Sequence, residues 1–190
     1  MFQGQRLVLR TRLESDVPIL HRDLYDDVVG RVRTDGAPWI PRPVTNSPFI
    51  VKPGDDRSAG VAVFTIADPD TDEPLGSTLL WGIDQHNRSA HIGLALRPVA
   101  RGRGLAGETL ALLSHYGFRI LGLHRLGIET LTDNEPMIRA ALAAGYTREG
   151  TIRQSAWVDG SMRDEATFGL LAAEWAAGSR PDGAPGSAAV

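Results

Sequence analysis

Apolar positions along the chain come in short runs, some alternating and some continuous, set apart by polar, glycine- and proline-rich punctuation. Leu7–Arg10 reads as a first strand, and Ser15 as the N-cap of a helix beginning at Asp16, with Pro18 in its first turn. From Asp23 to Pro53, apolar residues mix with Pro38, Pro41, Pro43 and Pro48, which predicts short helices broken by loops. Three β-like runs follow, Gly60–Ala67, Leu75–Ile83 and Ser89–Leu96, separated by DPDTDEP and DQHNRS, so an antiparallel meander is expected. Gly104 to Leu121 then carries Leu105, Thr109, Leu112, Leu113, Tyr116 and Ile120 at helical spacing. A strand at Leu126–Leu131, a helix at Glu135–Ala144 and strands near Thr151–Val158 and Asp164–Leu171 complete the pattern. The last stretch, AAGSRPDGAPGSAAV, is small and unpatterned; residues 1–175 form the expected domain and residues 176–190 a disordered tail.

Composition narrows the function classes. With 190 residues, 42% of them hydrophobic, the chain is sized for one domain with a real core. The absence of cysteine excludes a disulfide scaffold, a thiol nucleophile and any Cys-ligated metal. A net charge of −3, from 20 basic and 23 acidic residues, argues against nucleic acid as a partner. No apolar stretch has the length of a membrane span and the first residues lack a signal-peptide core, so no membrane partner and a cytoplasmic address are expected. The five histidines and the carboxylates show no paired ligand spacing, so no metal is implied.

The run His91-Ile-Gly-Leu-Ala-Leu-Arg-Pro-Val-Ala-Arg101-Gly-Arg-Gly-Leu-Ala106 carries the chemistry. A strand ends near Leu96, a loop holds Arg101, Gly102, Arg103 and Gly104, and a helix starts at once. Such a loop presents free backbone N–H groups and the positive end of a helix dipole, while glycine lets the backbone approach a ligand. This is a cradle for phosphate or pyrophosphate; the same spacing also fits a tight turn with solvated arginines. Gly102-x-Gly104-x-x-Gly107 with Glu129 further on matches a dinucleotide fingerprint, but its glycines do not follow the strand directly. Too few elements remain beyond it to complete a doubly wound sheet.

Arg101-x-x-Gly104-x-Ala106 resembles the Q/R-x-x-G-x-G/A pyrophosphate signature of the GNAT superfamily of acyl-CoA N-acyltransferases. The similarity extends over Leu7 to Trp175. Arg6–Arg10 with Ser15-Asp16 resembles the family's opening strand and helix, and Asp84–Leu96 resembles the hairpin and fourth strand of its RimJ/RimL-like branch. Arg125–Asn134 followed by Ala144-Gly-Tyr146 is similar to its fifth strand and following helix, and Val158-Asp-Gly160, Arg163-Asp164 and Glu174-Trp175 to its closing hairpin and end. The fold implied is α/β of the α+β type: a mixed, largely antiparallel, twisted sheet flanked by helices, with the fourth and fifth strands splayed apart.

The same resemblance assigns roles. Acetyl-CoA is the implied cosubstrate, its pantetheine arm lying along Leu94, Ala95 and Leu96 and its pyrophosphate on the backbone of Arg101, Gly102, Arg103, Gly104, Leu105 and Ala106. Asn134 would bond the pantetheine arm; it also suits the N-cap of the helix at Glu135-Pro136, with its amide donors left free. His91 stands where many members carry a glutamate base, and imidazole is chemically able to take a proton from an amine near neutrality. A half-buried strand histidine satisfied by its surroundings would look the same. Glu129 lies on the fifth strand where an acid often lines the acceptor site, and Glu108 suits the first turn of the long helix. Two departures stand out: Ala141 and Met137 occupy positions where the family carries a tyrosine acid and the branch a serine. Tyr146 reads as a core aromatic.

Tyr25, Asp26, Asp27, Asp35, Trp39 and Trp157 are candidates for an aromatic and acidic acceptor groove, and scattered surface residues would give the same pattern. The implied function is acetyl transfer to a primary amine, a protein N-terminal α-amine by the branch resemblance. The alternatives are a small-molecule amine, or acyl-CoA binding without turnover. A homodimer is allowed.

Overall fold

The computed structural model describes residues 1–34, 36–51 and 60–178. Asp35, one of the candidate groove residues, lies outside the described residues, as do residues 52–59 and all but the first three residues of the expected tail. Those three, Ala176 to Gly178, close a final helix, α5 (Ala172–Gly178), rather than opening the tail.

The described residues form one eight-stranded sheet. Its strands are β1 (Phe2–Gln3), β2 (Val8–Arg10), β3 (Val61–Ala67), β4 (Pro74–Asp84), β5 (Ser89–Leu96), β6 (Arg125–Leu131), β7 (Thr147–Val158) and β8 (Ser161–Leu171). They lie in the order β1-β2-β3-β4-β5-β6-β8-β7. Every neighbouring pair is antiparallel except β5 and β6, which run parallel. The meander β3-β4-β5 is as expected; β1 is additional, so the expected fourth and fifth strands are β5 and β6.

Alternation along β5 sorts its side chains. Ala90 and Ile92 join the main core with Leu126 and Ile128 of β6, against α3 (Leu105–His115) and α4 (Glu135–Ala143). Ala95 faces the other way, onto a smaller cluster of Leu20, Leu24, Tyr25 and Phe49. That cluster belongs to α1 (Asp16–Leu20) and the segment after it, with α2 (Val28–Thr34) beyond.

Two helices depart from the sequence pattern in the same manner. α1 passes into a π-helical turn, His21–Tyr25, and α3 into another, Tyr116–Ile120, each closed by an i→i+5 bond: Asp26 N–H to His21 O at 3.0 Å and Leu121 N–H to Tyr116 O at 3.0 Å. A wider turn rotates the following side chains off the apolar stripe. Ile120, expected on the buried face of one continuous helix, is accordingly 58% exposed. Ser15 makes no side-chain cap bond; Asp16 instead accepts the N–H of Leu13 at 2.9 Å. Among the described residues no helix is long and apolar enough to cross a membrane.

Candidate functional site

β5 and β6 pair only at Ser89↔Arg125, Ala90↔Leu126 and His91↔Gly127. Beyond that point β5 continues along β4 through Leu94↔Thr78, Ala95↔Ser77 and Leu96↔Gly76, while β6 continues along β8. The sheet therefore opens into a wedge with His91 at its closed end. Leu94, Ala95 and Leu96 lie half-buried along one side of it. Their β6-facing backbone edge has no strand partner, as an inserted extended arm requires.

His91 is held by three neighbours. Its ring stacks on Trp81, the cross-strand partner on β4, at 4.5 Å between centroids and 25° between planes. Its other side leans over Gly127, where a Cβ would come within 3.1 Å of Nδ1. Nδ1 is buried and has no hydrogen-bond partner among the described residues, yet Glu129 Oε1 is 3.5 Å away. The two side chains are 38% and 35% exposed, so the pair sits at the surface of the wedge rather than within the core. Trp81 was not among the residues singled out from sequence. Its β-strand pattern was visible, but its partner across the hairpin depends on register.

At the open end, the chain leaves β5 through a 3₁₀ turn, Pro98–Ala100, and enters α3 after Arg101-Gly-Arg-Gly. Gly102 and Gly104 both have φ of +72°, a conformation that glycine alone adopts without strain. Among the described residues, no acceptor meets the N–H groups of Gly102, Arg103 or Gly104, and the first N–H groups of α3 are orphaned by the helix itself. A Cβ on Gly102 would meet nothing within 4 Å, so the loop faces open space. The residues present thus fit a pyrophosphate. Leu105 is buried and Ala106 half-buried beneath it. Arg101 is tethered: its Nε donates to the Leu96 carbonyl at 3.0 Å and its Nη2 lies 3.5 Å from Asp27 Oδ2.

Behind the loop is a feature sequence reasoning missed. Arg6, from the turn after β1, donates to the carbonyls of Arg103 at 2.8 Å and Gly104 at 3.1 Å. Glu108 in the first turn of α3 pairs with Arg6 Nε at 3.1 Å and accepts the N–H groups of Gln5 and Arg6. Burial opposes the ionisation of Glu108, but those donors together hold its carboxyl below the usual range.

Asn134 caps α4, its Oδ1 accepting Met137 N–H at 3.4 Å. Its Nδ2 donates to Thr130 Oγ1 at 2.9 Å, so one amide hydrogen is engaged, not free as expected. Ala141 is buried, and Met137 packs against the core. Tyr146 is buried in the main core with its hydroxyl on Ser114 Oγ at 2.9 Å; burial, only partly offset by that bond, pushes the phenol well up.

The expected acceptor groove is only partly assembled. Tyr25 is buried with its hydroxyl on the Ile40 carbonyl, and Trp39 donates to the Tyr25 carbonyl at 2.9 Å, so both serve the smaller core. Asp27 caps α2 through Gly30 N–H at 3.1 Å, and Asp26 faces His21 at 3.5 Å. Trp157 is exposed on β7.

Comparison with known proteins supplies the context. Residues 6–147 match the acetyltransferase (GNAT) domain. The uncharacterized N-acetyltransferase YoaA of Bacillus subtilis is 33% identical over 102 residues, covering 54% of this chain and 58% of that protein. The putative ribosomal N-acetyltransferase YdaF of the same organism is 31% identical over 100 residues, covering 53% and 55%. The chain thus spans less than two thirds of the length of either relative. The crystal structure of spermidine N-acetyltransferase from Vibrio cholerae in complex with CoA and spermine has the same fold, with a TM-score of 0.73 at 19% identity over 91% of this chain and 99% of that one.

Proposed function

From the premise that this chain belongs to the acetyltransferase (GNAT) domain family, we propose that it moves acetyl from acetyl-CoA directly to a primary amine. The observation that carries this reading is the wedge: a β5 edge without a strand partner, running from a His91–Glu129 pair to a loop whose N–H groups meet no acceptor among the described residues. When bound, acetyl-CoA supplies an acyl group activated as a thioester. The chain's own part is to hold and orient the donor, and to take the amine's proton. Backbone N–H groups of Arg101–Ala106 would hold the pyrophosphate, the edges of Leu94–Leu96 the pantetheine arm, and the second amide hydrogen of Asn134 would be available to it. A free N–H on β5 would polarise the thioester carbonyl.

His91 is the proposed base. An amine attacks only through a free electron pair, so the ammonium must give up a proton before the C–N bond forms; the nitrogen loses a second as the C–S bond breaks, and the departing CoA thiolate takes its proton from solvent. The imidazole is half-exposed at the wedge, and Glu129 at 3.5 Å from Nδ1 stabilises the imidazolium that results. Glu129 is in this reading the partner of the base rather than a second base. His91→Ala is expected to lower kcat/KM by about 10²–10⁴-fold and to change the shape of its pH profile; an unchanged profile overturns the role.

The acceptor we infer is a protein N-terminal α-amine, which the RimJ/RimL-like residues and the YdaF relationship support. A polyamine is the second reading, favoured by the fold shared with a spermidine acetyltransferase. Acetyl transfer to N-terminal peptides and to spermidine, measured side by side with purified protein, decides between them. Tight acetyl-CoA binding without transfer to either would point to binding alone.

A further inference from the structure

We propose that Arg6 is a positioning residue for the phosphate-binding loop: its guanidinium fixes two peptide planes so that their N–H groups face the cosubstrate. This rests on the acetyl-CoA reading above and adds to it a residue almost one hundred positions away in sequence.

A trans peptide points its N–H away from its C=O. Arg6 holds the carbonyls of Arg103 and Gly104 at 2.8 and 3.1 Å, so the N–H groups of Gly104 and Leu105 are turned to the opposite side. These are two of the groups assigned to the pyrophosphate. The restraint matters because Gly104, at φ +72° like Gly102, leaves the peptide planes on either side of it with little steric resistance to rotation. A rotated plane would aim a carbonyl oxygen at the phosphate. Arg6 is itself held: Glu108 takes its Nε at 3.1 Å and its backbone N–H at 2.9 Å. Room for that carboxylate comes from Gly4, where a Cβ would lie 2.1 Å from Glu108 Oε1. The pairing also neutralises a carboxylate in the first turn of α3 that would otherwise repel an anion at the helix N-terminus.

The test is calorimetric titration of acetyl-CoA into the full chain carrying Arg6→Met or Arg6→Lys, with thermal unfolding and acetyl-pantetheine turnover measured alongside. Methionine keeps the stem and loses both carbonyl bonds; lysine keeps the charge but cannot hold two carbonyls in a fork. Both variants are expected to bind acetyl-CoA about tenfold more weakly than the parent. Turnover of acetyl-pantetheine, a donor without the pyrophosphate, should stay within about twofold. Binding by both variants within about twofold of the parent overturns the proposal, as does full recovery by lysine, which would make the effect one of charge alone. An equal fall with acetyl-pantetheine also overturns it, since the role would then be general. Should the methionine variant not fold, the lysine variant decides. A parent protein that does not bind acetyl-CoA instead defeats the cosubstrate reading, a distinct outcome.

Discussion

Arg10 and Asp16 meet at 2.7 Å with both side chains almost wholly buried. Burial works against the Asp16 carboxylate, but Arg10, the Leu13 N–H and Thr65 Oγ1 outweigh it and hold its pKa below the ordinary value. A carboxyl depressed in the folded state contributes stability that is present above its unfolded pKa and lost as pH falls through the folded one. Urea unfolding should therefore show stability declining as the pH drops below about 4, with part of that slope missing in Asp16→Asn. The same variant should lose about 3–5 kcal/mol at neutral pH, because Arg10 is left buried against one remaining, exposed carboxylate, Asp72. Burial pulls the guanidinium of Arg12, next to it, down to about 10, and Arg12 donates to Ser77 Oγ at 2.6 Å and to the Phe64 carbonyl at 3.0 Å. Residues of this kind mark the limit of the sequence. His91 could be singled out as a candidate because its strand neighbours Ala90, Ile92 and Gly93 set it in a recognisable context. Its contacts with Trp81 and Glu129 were not, since they depend on which residues three strands bring side by side.

Among the elements, glycines in strands do unequal work. At Gly76 a Cβ would lie 2.4 Å from the Ala95 carbonyl, a backbone atom that cannot swing away. At Gly169 a Cβ would meet Glu149 Oε1 and Arg125 Nη1 at 2.4 and 2.5 Å, the mobile ends of an exposed ion pair. Thermal unfolding should separate them: Gly76→Ala costs about 1–3 kcal/mol or more, Gly169→Ala less than about 1. Gly127→Ala tests function instead. By pressing on His91 Nδ1 from 3.1 Å it should lower kcat while leaving KM for acetyl-CoA near the parent value. Strands and the long helix were readable because period-2 and 3.6 patterns report burial directly. The π-helical turns were not, because the apolar spacing before Tyr116 continues plausibly to Ile120 and only the i→i+5 bond breaks it. The N-cap at Ser15 failed for a different reason: of the two amides such a cap could take, Val17 N–H donates to the Glu14 carbonyl at 3.2 Å and Pro18 has none.

At the scale of the whole molecule, the meander β3-β4-β5 and the closing hairpin β7-β8 follow from short connections; the long segments before β3 and before β6 leave the rest of the strand order open. What could not be read is how little strand pairing joins the two halves of the sheet: β1–β5 and β6–β8–β7 pair at the three positions ending at His91↔Gly127 and otherwise meet through the core. A cosubstrate that bonds β5 along this gap should stabilise the fold by mass action, by about 2.7 kcal/mol at one hundred times its Kd, seen as a rise in Tm with acetyl-CoA concentration. The gap has another consequence. A bare strand edge ordinarily invites pairing with a neighbouring molecule, and proteins blunt such edges with charge, bulges or cover. Here two bare edges face each other across a tapering slot inside a single sheet. A second sheet is too broad to reach either one, whereas a single slender chain is not. The geometry that admits a thin extended guest thus also shields these two inner edges from pairing, strand upon strand, with a second molecule.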